Sequence, residues 1–314
     1  MDWSVLREAG CDVRERVPLR DYTTFRLGGA CPAIVNCREP AALAAAVRFL
    51  SASGRKYQLI GGGSNLLVAD AGLDSVIVRY ASETRRVTRS GSIIDVDGST
   101  GLDDLAAFTA EQGLDGLVFA SGIPGTVGGA VAGNAGAFGN QIGDRLVSAT
   151  LMDAAGRLSE VKPGTLEFSY RHSRLSGSGE VLVSARLQLE PGNADSLRVE
   201  RERILQLRRE RHPDWRTQPT AGSFFRNIEP TSAAERRQAA GWFLERAGAK
   251  AMRVGGARVY EKHANIIVAD AGATARDVLE LSRLMADAVR RMFSIELARE
   301  VRLLGEFRAR DESS

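Results

Sequence analysis

The sequence contains few of the residues that build metal centres and disulfide frameworks. Of its 314 residues, only three are cysteine and three are histidine. The cysteines lie within the first 37 residues without CxxC spacing, and the histidines are at least 40 residues apart. This distribution predicts neither a bound metal nor a disulfide framework.

Blocks of basic residues and apolar leader segments are also absent from the sequence. Lysine and arginine number 42 against 39 acidic residues, and the basic residues are dispersed among the acidic ones. We therefore expect no nucleic-acid partner and no attachment to a membrane surface. The first ten residues, MDWSVLREAG, include charges and no apolar stretch of signal-peptide length. We expect a cytoplasmic protein with reduced thiols.

Glycine, by contrast, is abundant, with 33 residues in the chain. Eight of them lie in residues 117–143, an uncharged run of 27 residues that also contains proline, asparagine and glutamine. This much exposed backbone does not suit a membrane span, and we interpret the run as ordered loop and turns.

Hydrophobic periodicity predicts the regular elements and a boundary near residue 200 between two regions. Residues 274–293 show one apolar stripe, with Thr274 as N-cap and Asp277 three residues later. Residues 310–314 have the composition of a disordered tail. The predicted helices are 40–53, 195–216, 239–247 and 274–293, and the predicted strands are 57–60, 75–80, 93–96, 147–152 and 181–189.

Two glycine segments next to strands indicate a nucleotide, because bare backbone amides can approach a diphosphate closely. The first is GGGSN at 61–65 and the second is the uncharged run at 117–143. No Gly-Lys dipeptide occurs, which excludes a P-loop, and neither segment is a GxGxxG that opens a helix after a strand. A Rossmann site is therefore disfavoured, while the pair of segments favours another kind of cradle.

Eight short motifs occur along the chain in a fixed order. They are GGGSNL (61–66), GIPGTVGG (122–129), NAGA (134–137), YRHS (170–173), AGSFFRN (221–227), AGW (240–242), GGA (255–257) and EVR (300–302). Their ordered combination is specific and resembles the UDP-N-acetylenolpyruvoylglucosamine reductase family in its shorter subclass, over roughly residues 20–307. The members of this family are flavoenzymes of the vanillyl-alcohol-oxidase-like FAD fold.

The resemblance implies an α+β fold with a FAD-binding domain of the PCMH type and a substrate-binding domain. The expected limits are 1–200 for the first domain, with lobes at about 1–80 and 81–200, and 201–314 for the second. The EVR segment is expected to return to the interface. The implied reaction uses NADPH and noncovalent FAD to reduce an enolpyruvyl UDP-sugar to UDP-N-acetylmuramate, a step in peptidoglycan synthesis.

Three catalytic residues follow from the resemblance. Arg171 matches the arginine that binds the substrate carboxylate, and a planar guanidinium suits that group. Ser223 matches the general acid that protonates C2, and Glu300 matches the glutamate that stabilises the enolic form. A glutamate beside a carboxylate should ionise with difficulty, so we predict a raised pKa for Glu300.

The remaining functional residues implied by the resemblance bind the cofactor and the substrate. The cofactor residues are Gly61, Gly62, Gly63, Ser64, Asn65, Leu66, Pro124, Gly125, Thr126, Gly128, Asn134, Ala135, Gly136, Ala137 and Arg302. The substrate residues are Asn227, Lys250 and His263. The chain departs from the family pattern at Arg226, where lysine is common, at the longer 227–230 segment and at 298–299 before Glu300.

Two other interpretations stay open at this point. One is an oxidase or dehydrogenase of the same FAD fold that acts on an alcohol or hydroxy acid, although the glycine segments contain no Cys or His for covalent flavin attachment. The other is a nucleotide-sugar-binding protein without turnover, against which the three catalytic candidates argue.

Overall fold

The computed structural model describes residues 2–230 and 237–307, so the tail predicted at 310–314 lies outside the described residues. No helix in these two ranges combines the length and the apolar composition that a membrane span requires. The helices are α1 Ser4–Glu8, α2 Pro40–Ala52, α3 Leu102–Glu111, α4 Val127–Ala132, α5 Ala194–Arg211, α6 Ala240–Arg246 and α7 Ala275–Phe293.

The strands are short and lie in several sheets. They are β1 Asp12–Pro18, β2 Ala30–Cys37, β3 Tyr57–Ile60, β4 Leu66–Val68, β5 Val76–Tyr80, β6 Val87–Ser90, β7 Ile93–Asp97, β8 Leu114–Asp115, β9 Gly136–Ala137, β10 Asn140–Gln141, β11 Leu146–Met152, β12 Leu158–Val161, β13 Val181–Gln188, β14 Glu190–Pro191, β15 Arg253–Val254, β16 Ala257–Tyr260, β17 His263–Ala269 and β18 Arg302–Leu304.

The chain forms two compact units. Unit 1 contains Met1–Glu15, Pro32–Gly62 and Ser75–Arg208, and unit 2 contains Arg16–Cys31, Gly63–Asp74 and Arg209–Ser314. Unit 2 thus includes two early segments besides the region after residue 208. The functional domain limits expected from the sequence, 1–200 and 201–314, stay a prediction.

Unit 1 has two separate hydrophobic cores. In the first, α2 packs on a four-stranded sheet of order β1-β2-β5-β3, in which β5 runs parallel to both β2 and β3. Pro40 suits the first turn of α2, and the Ala- and Leu-rich body buries Leu43, Val47 and Leu50. In the second core, α3 and α4 pack against the antiparallel sheet β12-β11-β13-β7-β6.

Unit 2 is built around α6, α7 and the antiparallel sheet β15-β16-β17. The predicted N-terminus of α7 is confirmed, because Thr274 and Asp277 form a reciprocal capping box. Strands β4 and β18 pair in parallel, with Leu66 opposite Arg302. The start and the end of the chain therefore contribute to one unit.

The interpretation of residues 117–143 as loop and turns is wrong for its middle part. Residues 127–132 form α4, because Thr126 caps the helix by accepting a hydrogen bond from the Gly129 N–H and because Val127 and Val131 are buried. The helix predicted at 195–216 ends earlier, at Arg211, two residues before Pro213.

Candidate active site

Within unit 1, Gly61 and Gly62 of the first glycine segment lie against Gly125 and Thr126 of the second. A Cβ atom added to Gly61 would stand 2.3 Å from Thr126 Oγ1, and one added to Gly62 would stand 2.8 Å from Gly125 Cα. Both distances are shorter than a side chain tolerates. The close approach therefore requires glycine at both positions, as the sequence indicated for a backbone cradle.

These touching loops also present unused hydrogen-bond donors. Among the described residues, the N–H groups of Gly61, Gly62, Gly125 and Thr126 donate no hydrogen bond within the protein. Gly128, by contrast, uses its N–H to bind the Gly98 carbonyl at 2.8 Å and so belongs to the framework. Bare backbone donors in contact with each other suit the diphosphate of a dinucleotide, so these residues fit FAD.

The YRHS turn (170–173) is hydrogen-bonded to the end of α4 and to the NAGA segment that follows it. Asn134 is buried and donates from Nδ2 to the Ser169 carbonyl at 2.9 Å. Ser173 Oγ donates to the Ala132 carbonyl at 2.9 Å, at the end of α4. Arg171 Nη1 donates to the Gly136 carbonyl at 2.7 Å. The structure thus brings the predicted NAGA and YRHS motifs together.

The backbone of Arg171 has a left-handed conformation, with φ of 56°. A non-glycine residue pays about 1–2 kcal/mol for this conformation, and such residues are concentrated at functional sites. The guanidinium is held on one side by Gly136 and lies with its carbon 5.5 Å from the Tyr170 ring centre. This arrangement fixes the direction of the side chain.

A group of charged residues that sequence reasoning missed supports the second glycine segment. Asp103 Oδ1 accepts hydrogen bonds from the Gly122 N–H at 2.8 Å and from Arg201 Nη1 at 2.6 Å. Burial raises the pKa of Asp103, but these hydrogen bonds outweigh it and hold the pKa below its usual range. Arg208 of α5 lies beside Gly122, and burial lowers its pKa.

In unit 2, the structure brings the Ser223 segment next to Glu300. The Glu300 N–H donates to the Phe224 carbonyl at 2.8 Å, and the Arg226 N–H donates to the Ala298 carbonyl at 2.8 Å. The AGSFFRN and EVR motifs, which are far apart in sequence, therefore run side by side. Ser223 itself forms a β-bridge with Ile266 of β17.

Asn265 locks this arrangement and was not identified from the sequence. Its Oδ1 accepts from the Phe225 N–H at 2.9 Å, and its Nδ2 donates to the Phe225 carbonyl at 2.8 Å. The side chain is buried within a strand whose other residues are mostly apolar. An asparagine inside the otherwise apolar run ANIIVA (264–269) is the signal that could have revealed it.

Within unit 2, Asn65 of the first glycine segment is hydrogen-bonded to the Glu300 segment. Its Nδ2 donates to the Glu300 carbonyl at 3.1 Å, and its own carbonyl accepts from the Arg302 N–H at 3.1 Å. Gly63 has φ of 66° and lies so close to the Tyr22 carbonyl that a Cβ would stand 2.0 Å from it. Ser64 accepts a bond through its carbonyl from Thr24 Oγ1 at 3.4 Å.

The three predicted substrate residues have protein partners in unit 2. Asn227 Oδ1 accepts from the Ala240 N–H at 3.2 Å, at the start of α6. Lys250 Nζ forms an ion pair with Glu245 Oε1 at 2.6 Å. His263 Nδ1 accepts from the Asn265 N–H at 3.2 Å, and its ring centre is 5.5 Å from that of His212.

The surroundings of His263 favour its neutral form. Burial lowers its pKa, and the positive charges of Lys250 and Arg211 lower it further. Because Nδ1 accepts a hydrogen bond, the proton of the neutral ring is on Nε2. The histidine can therefore donate a hydrogen bond from Nε2 at neutral pH.

Comparisons with known proteins match most of the chain. A family model described as FAD binding domain matches residues 31–162, and one described as UDP-N-acetylenolpyruvoylglucosamine reductase, C-terminal domain, matches residues 213–304. A UDP-N-acetylenolpyruvoylglucosamine reductase from Moorella thermoacetica is 39% identical over 290 residues, covering 92% of each chain. The chain belongs to this reductase family.

Further relatives agree with the family assignment. UDP-N-acetylenolpyruvoylglucosamine reductase 2 of Symbiobacterium thermophilum is 35% identical over 302 residues, 96% of this chain and 95% of the relative. The crystal structure of the UDP-N-acetylenolpyruvylglucosamine reductase from Thermus caldophilus superposes with a TM-score of 0.78 at 31% identity, covering 94% of this chain and 100% of that one. The α+β fold with a FAD-binding domain, predicted from the sequence, is confirmed for this reductase family member.

Proposed function

We propose that the chain reduces the enolpyruvyl ether of UDP-N-acetylglucosamine to UDP-N-acetylmuramate, with NADPH as the reductant. It is a FAD-dependent oxidoreductase of peptidoglycan synthesis. The observation that carries the proposal is the backbone pairing of the Ser223 segment with Glu300, because it places the two motifs expected to handle the enolic intermediate side by side.

FAD would be held by the glycine loops at 61–66 and 124–128, and when bound it carries hydride from NADPH to the substrate. Four N–H groups of these loops are available for its diphosphate. The framework residues Asn134 and Gly136 hold the neighbouring turn in place. Arg302 contributes through its N–H, which fixes Asn65.

We assign the chemical steps to three residues. Arg171 binds the substrate carboxylate and stabilises the negative charge that develops when C3 gains hydride. Ser223 donates its hydroxyl proton to C2. Glu300 stabilises the enolic form by hydrogen bonding, and its proposed raised pKa would keep a proton available.

Substrate recognition is assigned to Asn227, Lys250 and His263, of which His263 begins β17. Lys250 supplies positive charge for the UDP diphosphate, and the Glu245 ion pair keeps its ammonium in position. His263 offers an Nε2–H donor.

The proposed partners are a UDP-sugar and NADPH, without nucleic acid or membrane. We place the reaction in the cytoplasm, where both nucleotides are available. We also propose that residues 1–200 bind FAD and that residues 201–314 bind the sugar nucleotide.

An anaerobic flavin experiment tests the assignment. NADPH should bleach the flavin band, and the enolpyruvyl UDP-sugar should restore it with formation of the lactyl ether. Ser223→Ala should keep the NADPH step and lose the reoxidation by about 100-fold or more. Ser196→Ala, an exposed serine on α5, is the matched control and should behave as wild type. Reduced flavin that is not reoxidised by the UDP-sugar but is reoxidised rapidly in air would instead indicate an alcohol-oxidising enzyme.

A further inference from the structure

Unit 2 contains a cavity of about 730 Å³ that the proposed reaction does not use. This volume is in the range of small-molecule sites. Its walls come from Pro18, Arg20, residues 25–29, Asp70, residues 217–219 and residues 269–273. The cavity lies at the end of β17, whereas His263 begins that strand, so about 20 Å separates the two at 3.3 Å per residue.

Two cations belong to the lining of this cavity. Arg20 and Arg26 line it, and neither guanidinium group has a hydrogen-bond or ion-pair partner within the described ranges. The Gln218 side chain adds amide donors and an amide acceptor. Both lining carboxylates are engaged. Asp70 accepts from the Ala275 and Arg276 N–H groups at 2.8 and 3.0 Å, and Asp270 accepts from Arg258. The cavity therefore favours an anion.

Glycines allow a close approach between segments in the wall of the cavity. A Cβ on Gly28 would stand 2.6 Å from Val68 Cβ, and one on Gly29 would stand 2.2 Å from the Asp70 carbonyl oxygen. Leu27, Pro219 and Ala269 add apolar surface to the lining. A preformed cavity with apolar walls and two cations suits an organic anion better than a bare ion.

We propose that this cavity binds a small organic phosphate monoester. The phosphate dianion is bound by the guanidinium forks of Arg20 and Arg26, which match its oxygens in pairs. The organic part packs on Leu27 and Pro219. Binding at this site does not rest on the proposed reaction, whereas its effect on turnover does.

The cavity wall is connected by backbone to the Glu300 segment. Asp70 follows β4, and the Ala69 N–H donates to the Leu304 carbonyl at 2.8 Å, continuing the β4–β18 pairing. Asn65, at the other end of β4, holds the Glu300 carbonyl. An occupant of the cavity, which Asp70 lines, would therefore lie at one end of the β4–β18 pair whose other end holds Glu300. We expect it to change kcat at least about twofold with KM for the UDP-sugar unchanged, and this effect rests on the proposed reaction.

Calorimetric titration of the holoenzyme with phenyl phosphate tests the binding site. We expect a Kd below about 1 mM, with phenol not binding and inorganic phosphate binding at least about fivefold more weakly. Arg20→Gln and Arg26→Gln should each weaken phenyl phosphate about tenfold, because a charged hydrogen bond is lost. Arg283→Gln, an exposed arginine of α7 outside the cavity, should leave the Kd unchanged.

Several results would overturn the proposal. Displacement of phenyl phosphate by NADP⁺ would place the probe in the active site, and wild-type affinity in both cavity variants would exclude the arginines. If inorganic phosphate bound as tightly as phenyl phosphate, the site would not be one for an organic phosphate ester. A kcat unchanged at saturating phenyl phosphate would refute the coupling to Glu300. Melting curves of the variants check that they are folded. An absence of turnover in the wild-type protein would contradict the proposed reaction and leave the phenyl phosphate titration as the test of the cavity.

Discussion

Replacing Gly62 with alanine should separate the two glycine loops of unit 1. The new Cβ would stand 2.8 Å from Gly125 Cα, about 0.6 Å inside the 3.4 Å at which ordinary contact begins. The obstructing atom belongs to the backbone, and the Gly125 carbonyl is itself fixed by the Leu102 N–H at 3.0 Å. Overpacking of this kind costs about 1–3 kcal/mol.

This strain falls on the donors proposed to hold FAD. Moving Gly62 or Gly125 misaligns the bare N–H groups of both loops. If the full 1–3 kcal/mol is lost from binding, the Kd for FAD rises by about 5- to 150-fold, since each 1.4 kcal/mol is a factor of ten. The stabilisation of the folded chain by added FAD should shrink accordingly.

Rebinding of FAD to the stripped protein, followed by quenching of flavin fluorescence, measures this effect. Gly164→Ala is the control, because no atom lies within 4 Å of its added Cβ, and it should bind FAD like wild type. Circular dichroism melting confirms that both variants are folded. A folded Gly62→Ala protein that binds FAD within about twofold of wild type would refute the cradle.

Three further changes test other parts of the structure. Asn265→Ala leaves the buried Phe225 N–H and carbonyl unsatisfied and should lower the free energy of unfolding by about 2–4 kcal/mol in urea titrations, and an unchanged midpoint would contradict the clamp. Thr274→Ala removes the side-chain cap of α7 and should lower the free energy of unfolding by about 1 kcal/mol in the same assay. An unchanged free energy of unfolding would show that the Asp277 half of the capping box is sufficient. Because burial lowers the pKa of His263 in the folded protein, the unfolded chain binds a proton on this histidine at higher pH than the folded chain does. The free energy of unfolding should therefore be retained above about pH 6.5 and decline below it. His263→Asn should flatten that decline between about pH 7 and 5, and identical slopes would show that His263 is not its source.

Local sequence patterns predicted much of the secondary structure. The strand 57–60 matches β3, and the stripe, the threonine cap and the acidic residue three positions later predicted α7. These signals act within a few residues, so sequence alone can carry them. The helix α4 escaped prediction because its glycine-rich sequence disfavours a helix, and only the Thr126 cap and burial stabilise it.

The candidate site was predictable only in part for the same reason. Motif resemblance located Ser223 and Glu300, but the hydrogen bond between the Phe224 carbonyl and the Glu300 N–H depends on long-range pairing that no local pattern records. The resemblance also suggested Lys250 as a cation for the substrate without its partner Glu245. The raised pKa of Glu300 and the assignments of individual cofactor residues stay predictions.

The discontinuous make-up of unit 2 has a consequence for synthesis on the ribosome. The side chain of Asn65 donates to the Glu300 carbonyl, which lies 235 residues further along the chain and is synthesised later. At elongation rates of about 5–20 residues per second, β4 remains without its partner strand for roughly 10 to 50 seconds. During that interval its edge is open to mispairing, and the nascent chain depends on chaperones or on early folding of unit 1 to stay unaggregated. A stop codon only a few residues before Leu304 would make this vulnerable period permanent.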